Sequence, residues 1–147
     1  MTMWDASLRS SLIDRAGRLK DSTKPAWGKM NAGGMMAHLN DSYRMALGEL
    51  TVKPRNVPLR YPAIKQLVIY ALPFPKGVPT APELISRCEG AVLADEQRAY
   101  GELLEKLASV TPASRLADHP AFGNLTHRAY GVLMARHTEH HFRQFGL

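Results

Sequence analysis

The fold class the sequence predicts is all-α: a four-helix bundle with a proline-rich, basic crossover segment that carries a short extra helix. Apolar residues recur at helical spacing in four separate stretches, and no stretch shows the strict alternation of a half-buried strand. Between the periodic stretches lie Pro, Gly and polar clusters that break helices. The length, 147 residues with 45% hydrophobic and 22% charged, suits a single domain over residues 1–147 that buries its own core. That apolar content excludes intrinsic disorder. The single cysteine, Cys88, excludes an internal disulfide framework or a CxxC pair and reads as a buried structural thiol.

The first helix is predicted from Trp4, Leu8, Leu12, Ala16 and Leu19, which share one face. A polar loop with Pro25 and Gly28 follows, and Asn31 is placed to cap a second helix running to about Gly48. Met35, Leu39, Tyr43, Ala46 and Leu50 form its apolar stripe. Pro62 to Leu72 reads as a short helix begun and ended by prolines, with Ile64, Leu67, Val68 and Ala71 facing the bundle. Thr80-Ala-Pro-Glu83 has the pattern of a capping box, which predicts the third long helix from there to about Ala108, weakened at Gly90. The last helix is expected from about Asn124 to Phe145.

Charge is concentrated. Nineteen Lys plus Arg against thirteen Asp plus Glu give +6. Lys53, Arg55, Arg60, Lys65 and Lys76 all fall between Thr51 and Pro82, a segment with no acid and seven of the ten prolines. Three readings are open for it: a solvated basic surface, an anion-attracting rim over a site, or a nucleic-acid contact. No helix-turn-helix, aromatic platform or finger spacing accompanies it, so nucleic acid is not expected as a partner. The longest apolar run, Leu67 to Leu72, is far shorter than the roughly 20 residues of a membrane span. Residues 1–20 lack the continuous apolar core of a secretory leader, so a cytoplasmic location without a membrane partner is expected.

The chemistry-bearing feature is a run of histidines near the C-terminus, His137-Thr-Glu-His140-His141. At 3.6 residues per turn, Tyr130, Leu133, Met134, His137, His141 and Gln144 fall within one stripe about 100° wide. Arg136, Glu139 and Arg143 point elsewhere and are expected in solvent, with His140 on the edge. Imidazoles at i and i+4 stand about 6 Å apart at Cβ, close enough to share a metal ion. A further ligand would come from a facing helix, and His38 flanks the apolar stripe of the second helix. The plain alternative is two ordinary core histidines. The zincin motif is absent because Thr138 stands where it requires Glu, and Glu139 is one position early for the inverted motif.

The block RHTEHHFRQFG (136–146), together with MMAHL (35–39), resembles the DinB-like (YfiT-like) metalloenzyme superfamily. More narrowly, WGKMNAGGMMAHL (27–39) and HPAFGNLTHRAYGVLMARHTEHHFRQFG (119–146) resemble one subfamily of it with this tail. The resemblance implies a four-helix bundle holding a divalent metal ion, zinc or nickel, through His38, His137 and His141, with His140 not a ligand. It also implies thiol chemistry, as in some relatives: transfer of a low-molecular-weight thiol such as bacillithiol or mycothiol, acting as co-substrate, or thiol-dependent isomerisation.

Under that implication the thiol sulfur is the nucleophile, because metal coordination deprotonates it at neutral pH. Arg55 and Arg60, whose planar forks suit carboxylates, would bind the anionic part of the thiol. Gln144 and Tyr130 would orient ligands or substrate, with packing the alternative for Tyr130. Asp41, one turn after His38, would accept an imidazole N–H, with a solvated carboxylate the alternative. The runner-up function is a metal-dependent hydrolase using a metal-bound hydroxide. A third reading is a non-catalytic bundle that binds a metal or small ligand, or a homodimer formed through Leu67 to Leu72. The expected partner in the enzymatic readings is a small-molecule substrate.

Overall fold

The computed structural model describes residues 1–147. It contains α1 (Ala6–Ala16), α2 (Ala32–Ala46), α3 (Pro62–Tyr70), α4 (Leu93–Ala108) and α5 (His127–Gln144), with 3-10 turns at Pro58–Arg60 and Pro82–Leu84 and no strands. The fold is all-α: four long helices with α3 as the short extra one. None is long and apolar enough to cross a membrane.

Helix α2 is the centre of the bundle. Asn31 caps it by accepting from the Gly34 N–H at 2.7 Å, as its sequence position predicts. The expectation of one apolar stripe is too narrow: every residue from Ala32 to Ala46 except Arg44 is buried. Helices α4 and α5 and the Pro82–Leu84 turn all pack on it, so polar positions such as Asn40, Asp41 and Ser42 are enclosed with the apolar ones. Buried polar groups need partners. Asn40 donates to the Glu96 carboxylate at 2.8 Å, and the Arg87 guanidinium bridges Asp41 at 2.8 Å and Glu96 at 2.7 Å.

Three element predictions are corrected. The capping box does not form and α4 begins only at Leu93. The chain instead makes a 3-10 turn whose Ala81 and Leu84 pack on Met45, and Glu83 accepts from the Lys53 N–H at 3.3 Å. It then crosses the start of α2 so closely that only glycine fits at position 33. Helix α3 has a different rotation from the one predicted: Ile69 is fully buried and Val68 packs beside it, while Ile64 and Leu67 remain exposed. Polar contacts set that rotation. Arg136 donates to the carbonyls of Val68, Ile69 and Leu72 at the C-terminal end of α3, and the Lys65 ammonium donates to the Asn124 carbonyl at 3.0 Å.

Arg136 is therefore not a solvated side chain. Glu139 is not one either, since it forms a two-pronged pair with Arg15 of α1. Helix α5 starts at His127, capped by Thr126 accepting from the Ala129 N–H at 3.2 Å. It buries more than the predicted stripe, with Ala135, Thr138 and Phe142 also enclosed. Helix α1 is shorter at both ends than its periodicity suggests. Trp4 precedes it and donates from its indole to the His127 carbonyl at 2.9 Å.

A Cβ at Gly33 would lie 2.5 Å from the Ala91 carbonyl oxygen, whereas a Cβ at Gly101 on α4 would meet nothing within 4 Å. Gly33→Ala is therefore expected to destabilise by about 1–3 kcal/mol through overpacking against backbone. Gly101→Ala should instead stabilise by about 0.5–1 kcal/mol, through the helix-propensity gain alone. Urea unfolding of both variants checks the pair, and equal effects would show that the α2–α4 approach is looser than described.

Candidate metal centre

Three imidazoles meet where α2 crosses α5. The Nε2 of His137 lies 3.1 Å from the Nε2 of His38 and 3.1 Å from the Nε2 of His141. The nitrogen atoms that could hold an ion all lie within 4.8 Å of one another. His38 is 3% exposed, and the two α5 imidazoles are half-buried. The i, i+4 spacing puts His137 and His141 on one face, as the sequence requires. The approach of α2 is set by Tyr43 and Thr138. Thr138 donates its hydroxyl proton to the Met134 carbonyl at 2.9 Å and accepts from the Tyr43 hydroxyl. Burial pushes the Tyr43 phenol up to about 12, so it stays a donor at neutral pH.

The outer nitrogens decide which tautomers face the centre. The Nδ1 of His38 lies 3.0 Å from the Leu84 carbonyl oxygen, an acceptor, so Nδ1 carries the proton and Nε2 a lone pair. Gln144 donates its amide N–H to the Trp27 carbonyl at 2.7 Å, which turns its Oε1 toward the Nδ1 of His141 at 2.8 Å. His141 therefore also donates outward and presents a lone pair inward. His137 faces both lone pairs and has at most one Nε2 proton to offer. At least one of the two 3.1 Å contacts thus opposes lone pair to lone pair.

Protons do not relieve this arrangement. Burial holds the His38 imidazole below its ordinary range. Burial, followed by the neighbouring His141 and His38, puts His137 well below. Burial and His38 bring His141 down to about 3, against a smaller opposing effect of the Gln144 bond. At neutral pH all three are uncharged lone-pair donors. A three-histidine group with this spacing could hold a metal ion.

The other predicted site residues lie elsewhere. Asp41 accepts from Arg44 and Arg87, each at 2.8 Å, and touches no imidazole, because its position on α2 faces the charged network with Glu96. The imidazole N–H partner it was expected to be is the Leu84 carbonyl instead. Tyr130 is buried with its ring against His119 at 6.3 Å, and its hydroxyl has no partner. Arg55 donates to the Pro79 carbonyl at 3.3 Å, and Arg60 to the carbonyls of Pro120 at 3.0 Å and Arg55 at 3.2 Å. Both guanidiniums hold loops together, and neither is bonded to an imidazole of the triad. Cys88 is half-buried, and burial pushes its thiol up to about 11, which keeps it protonated and unreactive at neutral pH.

What sequence reasoning missed is the surround of the centre. Phe74, from the proline-rich segment, sits 6.3 Å from the His137 ring and 6.0 Å from His140. Trp27, from the loop before α2, sits 5.6 Å from His140. The crossover segment thus reaches the site through Phe74. The run Pro73-Phe74-Pro75, a lone aromatic pinned between prolines, is the one signal that could have marked it.

No curated protein and no solved structure matches the chain. A family described as "Protein of unknown function (DUF1569)" matches residues 7–146, a span that holds all three imidazoles and both aromatic flanks. By that match the chain belongs to the DUF1569 family.

Proposed function

We propose that His38, His137 and His141 hold one divalent metal ion and that the protein is a metal-dependent enzyme of the DinB-like type acting on small molecules. The observation that carries this reading is the pair of 3.1 Å contacts among three inward-facing Nε2 atoms, with the outer nitrogens of His38 and His141 already committed to acceptors. Such a cluster is repulsive when empty of a cation. Two imidazoles bonded to one ion at about 2.0–2.1 Å stand about 2.9–3.4 Å apart when adjacent in octahedral or tetrahedral geometry, which brackets the two contacts that His137 makes. An all-nitrogen donor set of neutral imidazoles suits zinc or nickel. The hydrogen bonds from His38 to Leu84 and from His141 to Gln144 are the outer contacts that orient metal-binding imidazoles and raise their basicity.

A divalent ion held there would lower the pKa of a thiol or water that binds it and so supply a nucleophile at neutral pH. Thiol S-transfer is the favoured chemistry, with a low-molecular-weight thiol as co-substrate. Asp41, the carboxylate whose charge reaches His38, is engaged by Arg44 and Arg87 and is not free to take a proton from water. The chain's own residues would orient the centre through Leu84 and Gln144 and exclude water from its open side through Phe74 and Trp27. The resemblance of residues 27–39 and 119–146 to DinB-like proteins supports the same chemistry.

Protein purified without an affinity tag is expected to carry close to one zinc or nickel per chain by elemental analysis. His38→Ala, His137→Ala and His141→Ala should each lose it, and His140→Ala should keep it. Full metal content in any of the first three would overturn the ligand set. Incubating the loaded protein with an electrophile and a panel of bacterial thiols, with and without chelator, separates S-transfer from hydrolysis. Electrophile consumption that needs metal but no thiol would make the protein a hydrolase.

Acid should act on the same lone pairs. The folded-state pKa values of His38, His137 and His141 are depressed below the unfolded value of about 6.5, so the unfolded chain binds more protons below that pH. His119, held at about 4 by burial and by Arg60, adds to the effect. Stability of the metal-free protein should therefore be flat above about pH 7 and fall as the pH drops. The limiting slope is about 1.4 kcal/mol per pH unit for each histidine. Chelated protein should lose on the order of a few kcal/mol between pH 6.5 and 5 in urea titrations. An unchanged midpoint across that window would mean the imidazoles are not held neutral.

A further inference from the structure

Most of the cations in the proline-rich segment already have acceptors. Arg55, Arg60 and Lys65 donate to backbone carbonyls of neighbouring loops. Lys76 does not: its ammonium lies 4.3 Å from the centre of the Trp27 ring, with no carboxylate or carbonyl bonded to it. A cation over an aromatic face keeps its capacity for an anion on the opposite side. His140 lies near both Trp27 and Phe74, half-buried, and its ring nitrogens also have no hydrogen-bond partner within the chain.

Both aromatic flanks are tied to the centre. The Trp27 loop is fastened to α5 twice: Gln144 donates to the Trp27 carbonyl at 2.7 Å, and the Ala26 N–H donates to the Gln144 carbonyl at 2.7 Å. Gly28, at φ +80°, makes the turn, and a Cβ there would stand 2.9 Å from the Gln144 amide nitrogen. Phe74 is held from the other side by Arg136, whose guanidinium lies 5.2 Å from the ring centre while its donors hold the end of α3. Two half-buried rings therefore stand beside His140, one residue from a member of the triad, with an unpartnered ammonium above one of them.

We propose that Trp27, Phe74, His140 and Lys76 form a binding mouth for an organic anion. Its aromatic or apolar body would lie against the two rings, and its carboxylate would be taken by Lys76 with help from an N–H of His140. This places substrate over the three-histidine centre and so rests on that centre being the reaction site, although the binding itself needs only the protein. An apolar body gains from the aromatic walls, and a carboxylate gains a charge-assisted hydrogen bond at a rim that holds no competing acid. A cationic ligand of the same shape would be repelled by Lys76.

Binding of 3-phenylpropionate and its neutral amide, 3-phenylpropionamide, tests the proposal. The indole N–H resonance of Trp27, assigned by its loss in Trp27→Phe, reports occupancy in chelated protein and in zinc-loaded protein. The carboxylate is expected to bind the chelated protein at least ~5-fold more tightly than the amide. Lys76→Met, a change at an exposed position, should remove that preference while leaving the amide unchanged. Trp27→Phe, followed through neighbouring resonances, should retain it, and Trp27→Ala should weaken both probes together. A preference that survives Lys76→Met, or the absence of shifts with either probe, would overturn the mouth. Failure of the protein to hold zinc while the Lys76-dependent preference persists would sink the metal reading and leave this one standing.

Discussion

The convergence of three imidazole lone pairs constrains the rest of this molecule. An Nε2 lone pair on His38 can face its counterparts on α5 only if its other nitrogen is fixed as a donor, and a carbonyl at Leu84 does that. Leu84 reaches the place because the chain before α4 turns there in a 3-10 conformation instead of beginning a helix. Gln144 performs the same service for His141, and it can do so only because the Trp27 carbonyl takes its amide protons. The orientations of His38 and His141 thus depend on backbone from loops remote in sequence. In a buried site such orientation is worth more than in water, because a misdirected imidazole cannot exchange its partner for solvent.

That arrangement needs α2 enclosed, and enclosure has consequences on its opposite side. Asn40 and Asp41 lie inside the protein along with the apolar stripe. A buried carboxylate without partners would be strongly destabilising. Arg87, Arg44 and Asn40 instead tie Asp41 and Glu96 into one network, and Arg87, nearly half exposed, keeps part of its charge in solvent. Exposure of the guanidinium limits the desolvation cost that makes fully buried pairs unprofitable. The same network removes Asp41 from the imidazoles and leaves an all-nitrogen centre.

The proline-rich segment acts as a side wall. Its short helix is attached to α5 by a small apolar cluster, Ile69 with Phe122, Ala129 and Leu133, and by one arginine that satisfies the carbonyls at its end. A helix of nine residues is too short to hold itself together in water, so its placement comes from these contacts. Arg136 therefore does for α3 what a capping residue does within a helix, from a separate helix, and it also carries Phe74 to the flank of His137.

The all-α class, the four long helices, the Asn31 cap and the shared face of His137 and His141 are legible in the sequence, because each follows from covalent geometry repeated over a few residues. Helical spacing carries an imidazole at i to the same face as one at i+4 whatever surrounds it. What tertiary structure decided involves groups with no local signature. The Leu84 carbonyl is a backbone atom, so no residue type announces it. Lys76 reads as one more solvated cation until Trp27 is beneath it. The start of α4 followed the crossing of α2 rather than the capping pattern at Thr80, because the close backbone approach at Gly33 outweighs the ~1 kcal/mol of a cap. The rotation of α3 followed the hydrogen bonds of Arg136, more than sixty residues away, because unpaired carbonyls at a helix end outrank the burial of one more leucine.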